Sequence, residues 1–231
     1  MKKILLIVTL FFSVLAVNAD ILVLESDVNM NNFWDKSGKE AEKVGIVGRK
    51  LIHTNNLKRA PIFVENSWKN VNASTASVDK SITITKGMLP YIDNDDELAF
   101  VLGHELAHAQ ELYDGMWKTI AINFNSKKYE YKSDINALEY MVNAGYNPIA
   151  GITIGNKIFG EPTWDWGFFY THPKGSARLM KMYEHIYKKY PQYLNSQMAQ
   201  SDNFHDFMKQ KEKEINAFKQ AQQKKRNINS I

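Results

Sequence analysis

His104-Glu105-Leu106-Ala107-His108 lies within a run whose apolar spacing predicts a helix. Residues four apart on a helix share one face, so the two imidazoles point the same way and can hold one metal ion. Glu105 stands at the edge of that face, where a carboxylate can take a proton from water. Two imidazoles and a carboxylate in the order His-Glu-x-x-His suit zinc-dependent hydrolysis. A catalytic zinc also needs a third protein ligand and an open fourth position. The chain has no cysteine, so that ligand must come from His, Asp or Glu, and disulfides and thiolate sites are excluded.

Several elements must position these residues. Residues 33–56 predict a helix with Val44, Val47, Leu51 and Ile52 on one face, weakened by Gly45 and Gly48; His53 lies near its end as a surface residue. Pro61 to Asn66 is short, apolar and β-favouring, and Ser67 to Ser74 suits a turn followed by an edge strand. Ser81 to Thr85 alternates strictly, as a half-buried strand does, and Lys86-Gly87 breaks it. The expected sheet is therefore small and antiparallel, ahead of the metal helix. Asn94 or Asp93 can cap that helix, with Glu97 or Asp96 three residues on. Leu98, Val101, Leu102, Leu106 and Ala109 give it an apolar stripe, and Asp114-Gly115 ends it. A second helix is predicted from about Lys127 to Ala144, stopped by Gly145 and Pro148, with Glu130 and Asp134 on one face. Asn147-Pro148 starts a shorter one. Gly160 to Tyr170 is an aromatic loop, and His172-Pro173 precedes a helix over about Lys174 to Tyr190. Residues 192–231 are Lys/Gln-rich and predict one exposed helix around Phe204 to Lys224 with a frayed end.

The first residues carry an address. Lys2 and Lys3 precede an apolar stretch from Ile4 to Val17, and Val17-Asn18-Ala19 offers small residues for cleavage. The stretch is shorter than the roughly 20 residues of a spanning helix, which favours a signal peptide over an anchor. Acylation is excluded by the lack of cysteine. Loss of residues 1–19 removes two lysines and no acids, so the net charge falls from +4 to +2. Nothing in that balance points to nucleic acid. The expectation is a signal peptide over 1–19, a peptidase domain over 20–190 and a polar, helical extension over 191–231. The mature protein is expected to be exported, to the periplasm or with secretion as the alternative, without stable membrane insertion.

From Val71 to Met180 the chain resembles the zinc metallopeptidases that include HtpX, the CAAX prenyl proteases and the periplasmic outer-membrane-quality proteases. The resemblance rests on Asn72-Ala73, Ser81 to Leu89, Asp95 to Gly103, the His104-to-His108 motif, Glu130-Tyr131-Lys132-Ser133-Asp134, Thr171-His172-Pro173 and Arg178. It implies a mostly helical α+β zincin-like fold with one zinc per chain. His104, His108 and Glu130 would bind the zinc, Glu105 would be catalytic, and His172 would sit close to the metal. Asp134, one turn beyond Glu130, would accept a hydrogen bond from a ligand histidine and fix its tautomer. The family has Ala where this chain has Ser133, a residue also seen there in thermolysin-like proteases. The short link between His108 and Glu130 leaves no room for the membrane hairpins that some members carry, and no tetratricopeptide-like repeats follow.

The implied function is a metalloendopeptidase acting on exported or envelope proteins, with Glu105 as general base. His172 or Arg178 could add a second donor to the oxyanion, against a helix-start loop and a surface ion pair as the plain alternatives. Asn72 and Ala73 could lie on an edge strand that receives an extended peptide. Trp164, Trp166, Phe168 and Phe169 could line the cleft or pack in the core. The rival functions are a zinc amidase or hydrolase of cell-wall material, and a chaperone-like binding protein with a non-catalytic zinc site.

Overall fold

The computed structural model describes residues 38–65, 69–113, 126–159 and 175–228. Residues 1–37 lie outside them, and with them the expected signal peptide and the start of the first helix. So do Asp114-Gly115, the aromatic loop with its two tryptophans, and Thr171-His172-Pro173.

Helix α1 (Gly38–Thr54) turns Val44, Val47, Leu51 and Ile52 into the core and leaves His53 exposed in its last turn. Strands β1 (Ile62–Glu65), β2 (Ala73–Thr75) and β3 (Ile82–Thr85) follow. They form one sheet in the order β1-β3-β2. The alternation predicted for β3 holds, with Ile82 and Ile84 fully buried. β2 pairs with β3 antiparallel, Ala73 opposite Ile84 and Thr75 opposite Ile82. β1 joins the other side of β3 in parallel, so the sheet is mixed where a wholly antiparallel one was expected. The cause is the crossing between β1 and β2, which carries the chain to the far edge of β3. Among the described strands β2 is thus an edge.

Helix α2 (Asp95–Leu112) is the centre of the fold. Asn94 caps it by accepting the Glu97 N–H at 3.0 Å, and Asp95, Asp96 and Glu97 place negative charge at the positive end of the helix dipole. Every residue from Glu97 to Ala107 is buried, because α1, the sheet, α3 (Ser126–Asn143) and α4 (Ala150–Phe159) surround it. The expected apolar stripe is the part that faces the core, and the neighbours cover the remaining faces. α3 packs closest where Gly103 meets Ala137: a β-carbon on Gly103 would lie 3.4 Å from the Ala137 backbone. Two residues beyond the end of α3, Gly145 has a φ of +76°, which suits glycine. Buried Glu97 also accepts from Thr153 Oγ1 at 2.7 Å and Lys157 Nζ at 2.6 Å, which ties α4 to the start of α2.

Helix α5 (Gly175–Lys189) buries Arg178, Leu179, Met182, Tyr183 and Ile186. The region expected to be one exposed helix is two, α6 (Asp202–Gln210) and α7 (Glu212–Ile228), broken at Lys211. Phe204, Phe207 and Ile215 are buried, and Tyr183 packs on Phe207 and Phe218 at ring-centroid separations of 5.9 and 6.4 Å. Two 3-10 turns, Pro191–Asn195 and Gln197–Gln200, fold this segment back. No helix among the described residues is long and apolar enough to cross a membrane.

Candidate metal centre

The close approach of α2 and α3 brings three ligand groups together. His104 and His108 lie one turn apart on α2, and their Nε2 atoms are 3.1 Å from each other. From α3, Glu130 Oε2 lies 3.4 Å from His104 Nε2, and its Oε1 lies 3.2 Å from His108 Nε2. Zinc holds nitrogen and oxygen ligands at 2.0–2.2 Å, so two tetrahedral ligand atoms stand about 3.3 Å apart. The three separations match that spacing, and the donors are two imidazoles and one carboxylate.

Other groups fix the outer sides of the imidazoles. Asp134 Oδ1 lies 3.0 Å from His104 Nδ1. A carboxylate only accepts, so His104 carries a proton on Nδ1, and a bound cation would take the Nε2 lone pair. Ser133 Oγ lies 3.3 Å from His108 Nδ1 and serves the second imidazole in the same way. Asp134 is held by Arg178, which donates from Nε to Oδ2 at 2.7 Å and from Nη2 to Oδ1 at 2.6 Å. Arg178 Nη1 also pairs with Glu130 Oε2 at 2.9 Å. The guanidinium is 1% exposed.

The charges favour a cation. With both imidazoles neutral, as metal ligands are, the buried carboxylates of Glu105, Glu130 and Asp134 face Arg178 as the one formal cation among the described residues at this centre. The formal excess of two negative charges is what a divalent ion neutralises. Burial alone would lower the pKa of His104, but hydrogen bonds to Asp134 and Glu130 outweigh it and push the value up to about 9. Burial would raise Asp134, yet the Arg178 charge and hydrogen bonds bring it down to about 2. For Arg178 burial acts downward, and the adjacent carboxylates reverse it to a net rise.

Glu105 faces β2. Its Oε2 accepts from Thr75 Oγ1 at 2.7 Å, and its backbone oxygen lies 3.0 Å from the same hydroxyl. A pocket lined by Phe100, Val101, Ile154, Gly155 and Ile158 adjoins His104 and Glu105. Asn72 and Ala73 stand where β2 begins. The Asn72 backbone is used by β3: its N–H donates to Thr85 Oγ1 and its oxygen accepts the Thr85 N–H, both at 3.0 Å. Ala76 N–H bonds to Ser81 O in the same phase. In an antiparallel ladder these pairs alternate, so the backbone groups of Ala73 and Thr75 face the open edge.

The structure therefore gathers His104, Glu105, His108, Glu130, Asp134 and Arg178, with Asn72 and Ala73 on the neighbouring strand. His172 lies outside the described residues. Arg178 is buried rather than a surface ion pair, and it bonds to Asp134 and pairs with Glu130. Sequence reasoning missed Thr75 and the use of Ser133. The signals available were a hydroxyl two residues beyond Ala73 and a hydroxyl beside Asp134 on the ligand face of α3.

No curated protein and no solved structure matches the chain. Residues 39–112 match the family model of Peptidase family M48. That span holds α1, the sheet and the His104-to-His108 helix, so this third of the chain is similar to that family, while Glu130, Asp134 and Arg178 lie beyond the match.

Proposed function

We propose that the protein is an exported zinc metalloendopeptidase that cleaves peptide bonds in envelope or exported proteins. The carrying observation is the His104, His108 and Glu130 triad at tetrahedral spacing, with Glu105 beside it. Zinc in this site supplies a Lewis acid that polarises the scissile carbonyl and makes water a stronger nucleophile. Glu105 takes the proton from the attacking water and gives it to the leaving amine. Asp134 and Ser133 keep both Nε2 lone pairs turned inward, and Arg178 keeps Asp134 and Glu130 in place. The peptide lies along β2, pairing with the backbone of Ala73 and Thr75. Asn72 Oδ1 is buried with no hydrogen-bond partner among the described residues, which supports a substrate N–H as its donor. Export rests on the lysines, apolar stretch and small residues of 1–19, with cleavage near Ala19 and the periplasm as destination. Residues 20–190 form the peptidase and 191–231 an extension, whose described helices pack on α4 and α5.

The test is one preparation of zinc-loaded mature protein assayed on casein and on purified peptidoglycan, before and after chelation. Casein cleavage that chelation abolishes is the expected result. Release from peptidoglycan alone would instead establish the cell-wall hydrolase, and inactivity on both would leave a binding protein.

A further inference from the structure

We propose that Thr75 is a positioning residue for the general base, and that it joins the seating of the substrate strand to the orientation of Glu105. This rests on the metallopeptidase reading above. Thr75 Oγ1 lies 2.7 Å from Glu105 Oε2, a short hydrogen bond to a charged acceptor. Glu105 is 1% exposed, where such a bond is stronger than in water. The terminal torsion of a glutamate is broad, so its carboxylate needs a fixed partner to hold one orientation. Thr75 is a suitable partner because a β-branched residue on a strand is stiff at χ1. Its hydroxyl also lies 3.0 Å from the Glu105 backbone oxygen, which seats it against this one turn of α2.

The second half of the inference comes from the ladder. The N–H and C=O of Thr75 face the open edge of β2, because the flanking pairs Asn72–Thr85 and Ala76–Ser81 take the inward phase. A peptide added to that edge bonds to Thr75 through the backbone while the side chain of the same residue holds Glu105. One residue thus sets the distance between the scissile bond and the base. Strand propensity alone does not account for a hydroxyl here, since valine forms strands as well as threonine does.

The test uses the zinc-loaded full chain as wild type, Thr75→Val, Thr75→Ser and Glu105→Gln, with Thr75→Ala in place of the valine variant if that one does not fold. Two readouts are taken: kcat and KM on a peptide, and the side-chain carboxyl carbon resonance of Glu105 in glutamate-labelled protein, assigned by its absence in Glu105→Gln. We expect Thr75→Val to lower kcat about tenfold or more with zinc content unchanged and KM within about twofold. The Glu105 resonance should move in Thr75→Val and return in Thr75→Ser, which should also recover most of the turnover. Wild-type turnover in Thr75→Val, a defect in KM or zinc content alone, or an unmoved resonance would overturn the proposal. If the wild type cleaves no peptide, the peptidase reading fails, and the resonance still decides whether Thr75 holds Glu105.

Discussion

Ser133 Oγ sits 3.3 Å from Nδ1 of His108, one residue before the carboxylate that holds His104. Neighbouring residues on α3 thus contact both imidazoles of the triad. Ser133 is fully buried, so its hydroxyl has no solvent to turn to. Ser133→Ala should lower zinc affinity about tenfold, at the mild end of what outer-shell partners of a metal histidine are worth. Competition with a chromophoric chelator measures it. An unchanged affinity would mean that the serine only fills space.

Arg178 is a harsher case. Its guanidinium answers two buried carboxylates, Asp134 and Glu130. Removing one member of a buried ion-pair network leaves uncompensated charge and costs about 3–5 kcal/mol. Arg178→Met should therefore destabilise the metal-free protein by that order in denaturant unfolding. Arg178→Lys should recover only part of it, because an ammonium cannot reproduce the fork on Asp134. A loss below about 1 kcal/mol for the methionine variant would place the arginine outside a buried network.

A second cluster predicts a pH dependence away from the metal. Glu139 on α3 accepts from His185 at 2.6 Å and from Lys189 and Tyr190 at 2.5 Å each, joining α3 to α5. Partial burial acts to raise its pKa, but these partners outweigh it and the value is lowered from 4.5. A lowered carboxylate stabilises the fold fully above its unfolded pKa, and that contribution fades as pH falls through the folded one. Thermal melts of wild type and Glu139→Gln should differ by a constant amount above about pH 5.5 and converge as the pH drops below the unfolded value. A gap that widened in acid would reverse the sign and refute the assignment.

The parts legible in the sequence were those with a local period. The four-residue spacing of His104 and His108 put both on one face of α2, and Glu130 and Asp134 did the same for α3. The alternation of Ser81 to Thr85 located β3. Contacts between distant segments leave no such trace. Thr75 reaches Glu105 across 30 residues and Arg178 reaches Asp134 across 44, and neither pair shares an element. The parallel placement of β1 depends on the path between strands, which side-chain alternation does not encode. Phe204, Phe207 and Ile215 look like stray apolar residues in a polar tail; they are buried because two short turns fold the tail onto α4 and α5.

The sharpest prediction separates holding the metal from using it. Mature wild-type protein should bind one zinc per chain, since one triad of suitable groups occurs among the described residues. His108→Ala removes an imidazole donor and should lose zinc and activity together. Glu130→Gln keeps the shape but replaces a charged oxygen with a neutral one, so zinc binding itself should weaken. Glu105→Gln should behave differently. Glu105 lies outside the triad and is turned to Thr75, so zinc content should match the wild type. The amide cannot carry a proton, and general acid–base catalysis is worth about 10²–10⁴-fold, so peptide cleavage should fall to the lower end of detection. Elemental analysis and a peptide assay on the same four preparations give the comparison. Near-full activity in Glu105→Gln would end the metallopeptidase assignment. Loss of zinc in that variant would make Glu105 a structural part of the metal site, with the base to be sought elsewhere.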